Sequence, residues 1–185
     1  MQSVYWKVIE NIPYRDTELD LGAFFHNRRI DIYNLLDSQN IEYIHIEHPP
    51  VYTIDEVNKL NLDNDEKIVK NLFLRDNKKR NYYLVVMNKK AKVNLNELKN
   101  KLNSLPLTFA SENDLYKYLK LSKGAVTPLG VLNNEENNVI VIIDNNILNY
   151  DIIGVHPNDN SATVWLNITD LIKLIRKNSI IYLDI

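Results

Sequence analysis

The chain of 185 residues contains no cysteine. That absence removes disulfides, thiolate zinc sites and a cysteine nucleophile together, so any hydrolysis proceeds without sulfur. No apolar run approaches the roughly 20 residues needed to span a bilayer. The N-terminus also lacks the basic, apolar and small-residue zones of a signal peptide, so a cytoplasmic protein with no membrane partner is expected. A Walker loop, a G-x-S-x-G elbow and a dinucleotide fingerprint are missing too, and no cofactor is expected. There are four histidines. His45 and His48 sit on a strand ending in proline and would not share one helical face. With His26 and His156 as the remaining two, a metal site lacks support.

Hydrophobic residues make up 45% and charged residues 25% of the chain, ordinary values for a folded domain and against a disordered or fibrous one. The length suits a single domain with a core of its own. A net charge of -2 conceals strong segregation: residues 67–123 hold 14 Lys+Arg against 4 Asp+Glu, while the remainder holds 8 against 20. Lysines spread over that middle segment suit contact with phosphates at several points. Solvated helix and strand faces would account for them equally well.

The first two dozen residues show no clear period and are expected to form an extension, with the folded domain over residues 25–185. A mixed three- and four-residue apolar spacing predicts a helix from about His26 to Ser38. Ile41 to Ile46 alternates like a strand, which His48-Pro49-Pro50 must break. Thr53 and Glu56 have capping-box spacing, as do Asn94 with Glu97 and Ser111 with Asp114, each placing a helix after the cap. Ile68–Asp76 and Tyr82–Met87 flank a polar turn and predict a hairpin. A second hairpin is expected over Thr127–Ile143, then strands at Ile152–Val155 and Thr163–Leu166. A helix capped by Asn167 or Thr169 and a last strand at Ile180–Leu183 close the chain. Strands and helices alternate without a βαβ period, so the expected fold is α+β, a mixed and largely antiparallel sheet flanked by helices.

Three segments could carry chemistry. Lys70 shares one strand face with Leu72 and Leu74, where an ammonium is costly unless used; it either snorkels to water or holds a phosphate or ribose oxygen. Gly124-Ala125-Val126-Thr127-Pro128-Leu129-Gly130 can aim backbone groups at a ligand, or can simply join a helix to a strand. Gly154-Val155-His156-Pro157-Asn158-Asp159-Asn160 reads as an Asx-rich turn with a structural histidine or as a wall of hydrogen-bonding groups.

Together with His48-Pro49-Pro50-Val51-Tyr52-Thr53, these segments resemble in order and spacing the YbaK and prolyl-tRNA synthetase insertion-domain family. The likeness runs from about Ile30 to the C-terminus, and is greatest to the free-standing alanyl-tRNA(Pro) deacylases, also called ProXp-ala or PrdX. It implies a YbaK-like fold and a trans-editing hydrolase that removes alanine from mischarged tRNA(Pro), whose acceptor end is the partner, with prolyl-tRNA synthetase as a second candidate partner. The same likeness implies catalytic roles for Lys70, Asn71, Gly124 and His156, and substrate contacts from Tyr52, Thr53, Ala125, Val126, Thr127, Pro128, Gly154 and Asn160. The same reaction on Cys-, Ser- or Thr-tRNA, or non-catalytic binding of tRNA or a synthetase, are the alternatives.

Overall fold

The computed structural model describes residues 21–185; the expected extension lies outside the described residues through residue 20, and its last four residues open the first helix, α1 (Leu21–Ser38). The strand β1 (Tyr43–Glu47) follows and stops before the paired prolines, as their missing N–H donors require. Thr53 then starts α2 (Ile54–Lys59): its hydroxyl accepts the Glu56 amide at 3.2 Å while the Glu56 carboxylate accepts the Thr53 amide at 3.1 Å. The predicted capping box is closed.

β2 (Val69–Asp76) and β3 (Tyr82–Asn88) form the expected hairpin. Asp76 organises its turn by accepting the amides of Lys78, Arg80 and Asn81 at 2.8, 3.1 and 2.9 Å. Asn94 caps α3 (Leu95–Lys101), and Ser111 caps α4 (Glu112–Leu119) after a short strand that the sequence reading did not anticipate, β4 (Leu107–Phe109).

The hairpin expected over Thr127–Ile143 does not form. Pro128–Asn133 is a 3₁₀ helix, and the one strand there is β5 (Val139–Asp144). Pro128 occupies the first helical position, where a missing N–H costs nothing. The strands β6 (Ile152–Val155) and β7 (Ala162–Asn167), the helix α5 (Ile168–Ile175) and β8 (Ile180–Leu183) complete the fold, with Asn167 capping α5.

The strands divide into two sheets, ordered β4-β2-β3-β5-β8 and β1-β7-β6. Every ladder is antiparallel except β3–β5 and β5–β8, giving the expected mixed, largely antiparallel α+β domain. A single parallel bridge, Ile68 to Gly154, joins the sheets. Ile153, Val155 and Val164 of the smaller sheet share the main core with Phe73, Leu84 and Val86 of the larger. Leu74, Val85 and Met87 point to the other side of the hairpin, where Leu98 of α3 covers them. A third cluster packs Val51, Val57, Leu62 and Ile68 on Trp165. Burying one aliphatic side chain is worth roughly 1.5–3 kcal/mol, so this cluster holds residues 51–68 on the small sheet more firmly than any single hydrogen bond of about 1 kcal/mol could.

Candidate active site

The bridge between the sheets sets the geometry. Side chains of bridged residues share a face and alternate beyond it, so Lys70 and His156, each two residues past the bridge, rise from the same side. Trp165 pairs with Gly154 across β6–β7 and belongs to that side, as does Thr163 two residues earlier. A Cβ at Gly154 would stand 2.8 Å from Ile68 Cγ1 and 3.0 Å from Trp165 Nε1. Glycine there is what lets the isoleucine and the indole close over the bridge.

Hydrogen bonds tie the remaining motifs to this place. The His48 amide donates to the Ser161 carbonyl at 2.9 Å, and the Val51 amide to the Asn160 carbonyl at 3.0 Å. Asn160 Nδ2 returns a bond of 3.0 Å to the Val51 carbonyl, so the His48–Thr53 segment runs along the His156 turn. The Gly124–Pro128 loop is held from two sides: Asn71 Nδ2 donates to the Val126 carbonyl at 3.1 Å, and the Thr127 hydroxyl to the His156 carbonyl at 2.7 Å. Gly124 has φ +88°, and a Cβ on it would lie 2.5 Å from Tyr52 Cδ1 and 3.2 Å from Asn160 Nδ2. The loop therefore approaches Tyr52 as closely as glycine allows.

Two imidazoles face each other here with ring centres 6.5 Å apart. His48 Nδ1 lies 2.8 Å from the Pro49 carbonyl and Nε2 2.9 Å from the Thr163 hydroxyl. A carbonyl only accepts, so the proton sits on Nδ1 and Nε2 accepts from threonine. Burial lowers the pKa of His48. Burial first, and the neighbouring His48 second, push His156 down to about 4. Both rings are neutral near pH 7.

His156 Nδ1 is buried without a hydrogen-bond partner, and so are Asn71 Oδ1, Asn158 Oδ1 and Trp165 Nε1. Of nine such atoms among the described residues, five lie on or beside the motif segments, Arg75 Nε being the fifth. Leaving a polar atom unmatched costs about 1–3 kcal/mol.

The neutral His156 predicts a pH dependence of stability. Its unfolded value is about 6.5 and its folded value about 4, so below about 6.5 the unfolded chain takes up a proton that the folded chain refuses. Stability is full above pH 6.5 and falls as pH drops toward 4. Melting temperatures at pH 7.5 and 4.5 should show the wild type losing more than His156→Gln over that interval. An equal loss in both proteins would remove His156 from the account.

The structure gathers Asn71, Tyr52, Gly124, Ala125, Val126, Thr127, Gly154, His156 and Asn160 as described, with Pro128 opening the 3₁₀ helix behind them. It does not put Lys70 and Asn71 together: the pleat sends Lys70 to the face of Met87, and Asn71, with the loop it holds, to the opposite face with Val86. Lys70 Nζ donates to the Ala91 carbonyl, and burial lowers its pKa. The Thr53 hydroxyl is occupied in the helix cap, and the Asn160 amide on the Val51 carbonyl. Sequence reasoning missed Thr163 and Trp165, and gave His48 no role once metal binding was set aside. Alternation along β7 was the available signal for the first two, though it could not say what would face them. No group of histidines and carboxylates placed to hold a metal occurs among the described residues, and no described helix is long and apolar enough to cross a membrane.

A family model for the aminoacyl-tRNA editing domain matches residues 48–174, a span that begins at His48 and encloses all four motifs. The chain belongs to the aminoacyl-tRNA editing domain family. This editing domain is 53% identical over 143 residues to the prolyl-tRNA editing protein ProX of Acetoanaerobium sticklandii, covering 77% of this chain and 87% of that protein. It is 32% identical over 151 residues to prolyl-tRNA synthetase associated domain-containing protein 1 of Danio rerio, covering 80% and 82%. A crystal structure of a candidate trans-editing enzyme for prolyl-tRNA synthetase superposes with a TM-score of 0.66 over 85% of this chain and 97% of that one. At 17% identity that last likeness establishes the fold alone. The resemblance carried by the four motifs holds at the level of family and fold.

Proposed function

We propose that this editing domain, over residues 25–185, is a cytoplasmic aminoacyl-tRNA deacylase that acts in trans on mischarged tRNA(Pro), with Ala-tRNA(Pro) as its substrate. What supports the reading is the meeting of the Asn71, Gly124–Pro128 and His156 segments, tied by the Asn71–Val126 and Thr127–His156 hydrogen bonds. An aminoacyl ester is already activated, so the chain needs no covalent nucleophile. A held water, assisted by the neighbouring ribose hydroxyl, attacks the carbonyl carbon; the ribose oxygen leaves with a proton, giving free alanine and uncharged tRNA.

In this reading Lys70 exchanges the Ala91 carbonyl for a phosphate or ribose oxygen of the terminal adenosine. Backbone amides of the loop other than that of Ala125, which donates to the Ser122 carbonyl at 3.2 Å, face the developing oxyanion, where preorganised donors have their largest effect. Asn71 acts through the loop by fixing the Val126 carbonyl. Neutral His156 lines the aminoacyl pocket, whose size admits alanine and excludes the proline ring. The unmatched polar atoms at His156, Asn158 and Trp165 favour one second reading, a hydroxylated side chain such as serine or threonine in that pocket.

Incubation with a panel of mischarged tRNAs separates these readings. Alanine should be released fastest from Ala-tRNA(Pro), and Lys70→Ala should slow that release by about 10²-fold, the scale of one lost electrostatic contact. Intact Ala-tRNA(Pro) after long incubation with folded protein would refute the activity; preference for Ser- or Thr-tRNA would reassign the pocket. A rate unchanged by added prolyl-tRNA synthetase would exclude that enzyme as a required partner.

A further inference from the structure

The end of α4 and the residues after it gather aromatic rings and lysines on one exposed surface that leads to the Gly124 loop. Glu112, Tyr116 and Lys120 recur every four residues and so lie along one line of the helix, with Tyr116 52% exposed. Lys120 ends the helix in left-handed backbone at φ 53°, and its Nζ stands 5.6 Å from the centre of the Tyr116 ring. Lys123 Nζ turns back to 3.8 Å from Glu112 Oε1, which brings it onto the same line. Lys117 is beside it in the helix, its Nζ 5.0 Å from the Tyr118 ring. The next residue after Lys123 is Gly124, which closes on Tyr52, itself 63% exposed. The surface thus continues along the chain to the Gly124 loop and Tyr52. Glu112 pairs loosely with Lys123, and the Glu56 carboxylate near Tyr52 is taken up by the amides of Tyr52 and Thr53.

We infer that this surface guides the unpaired 3′ end of a tRNA toward the Gly124 loop, Lys117, Lys120 and Lys123 neutralising phosphates that precede the terminal adenosine while Tyr116 and Tyr52 stack on bases. The inference rests on the deacylase reading and adds to it the path of the strand. Interleaved rings and ammonium groups suit single-stranded RNA, where every base offers a face and phosphates follow at regular intervals. A duplex would hide those faces and leave the tyrosines without a role. The surface also lies within the segment where 14 basic residues meet 4 acidic ones.

The triple variant Lys117→Gln, Lys120→Asn, Lys123→Gln tests it, with asparagine chosen because it tolerates left-handed backbone. Its kcat/KM on mischarged tRNA should fall tenfold or more, mainly through KM. The slope of log kcat/KM against log salt should flatten by about 2, since each single-strand phosphate contact contributes about 0.7. On a 3′-aminoacyl adenosine, which lacks those phosphates, the loss should stay under twofold. Tyr116→Ala should cost fivefold or more on tRNA. An unaltered kcat/KM and salt slope on tRNA would overturn the path, and an equal loss on both substrates would do the same. Fluorescence anisotropy with a single-stranded oligonucleotide ending in CCA reads the surface without any ester: tenfold weaker binding by the triple variant supports it, and equal binding refutes it. A wild type that binds the oligonucleotide but hydrolyses no mischarged tRNA would instead refute the deacylase reading.

Discussion

Gly124→Ala is expected to slow deacylation at least about 100-fold while the protein stays folded, because a shift near 1 Å in a positioning element costs that much. The added methyl group would stand 2.5 Å from Tyr52 Cδ1 and 3.2 Å from Asn160 Nδ2, and alanine at φ +88° is strained in any case. Tyr52 can swing outward, since it is 63% exposed, but the Asn160 amide is fixed on the Val51 carbonyl. The loop must therefore yield, and with it the Val126 amide. Left-handed alanine costs roughly 1–2 kcal/mol, enough to lower the melting temperature by several degrees and too little to unfold the domain. Single-turnover rates on mischarged tRNA, with melting curves alongside, check both halves. Activity within threefold of wild type would show that the loop positions nothing in the reaction.

His156→Ala should lower the rate by about 10²–10³-fold, the range for losing one preorganised polar contact in a closed site. The substitution leaves the His156 carbonyl in place, so the Thr127 bond that anchors the loop survives, and the loss reports on the ring alone. His156→Asn restores a polar group and should recover part of the rate. The form of the ring is also testable. With its pKa near 4, His156 stays neutral throughout pH 5.5–8 and gives the rate no inflection near 6.5. A bell limb at 6.5 that vanishes in His156→Asn would mean that the ring works as a proton donor, contrary to its burial.

Much of the local structure was legible because it depends on neighbours a few residues apart. Thr53 with Glu56 and Ser111 with Asp114 close the capping boxes their spacing announced. The β2–β3 hairpin forms around the turn that its polar residues marked. The hairpin expected after Thr127 failed for the complementary reason. β5 looks like half of a local pair, yet its partners are β3 and β8, both parallel and both distant in sequence. Nothing within residues 127–143 records that choice.

The candidate site divides in the same way. Motif order brought the Gly124 loop and the His156 turn to attention, and period-two alternation already implied that Lys70 and Asn71 face opposite ways. What joins them is non-local: the His48–Thr163 contact spans 115 residues and the Arg29–Ser161 contact 132. Asn71, to which the resemblance gives a catalytic role, donates to the Val126 carbonyl, which comes to lie beside it from 55 residues away.

The single bridge between Ile68 and Gly154 has a consequence for the timing of assembly. The site needs both ends of that pair, together with Thr163 beside His48, so it is complete only once the strand holding Thr163 has emerged from the ribosome. Contacts of such long sequence separation also form late, after the loop-closure entropy has been overcome. A nascent chain of this protein therefore has its β2–β3 hairpin sequence in hand long before the His156 turn meets its partners.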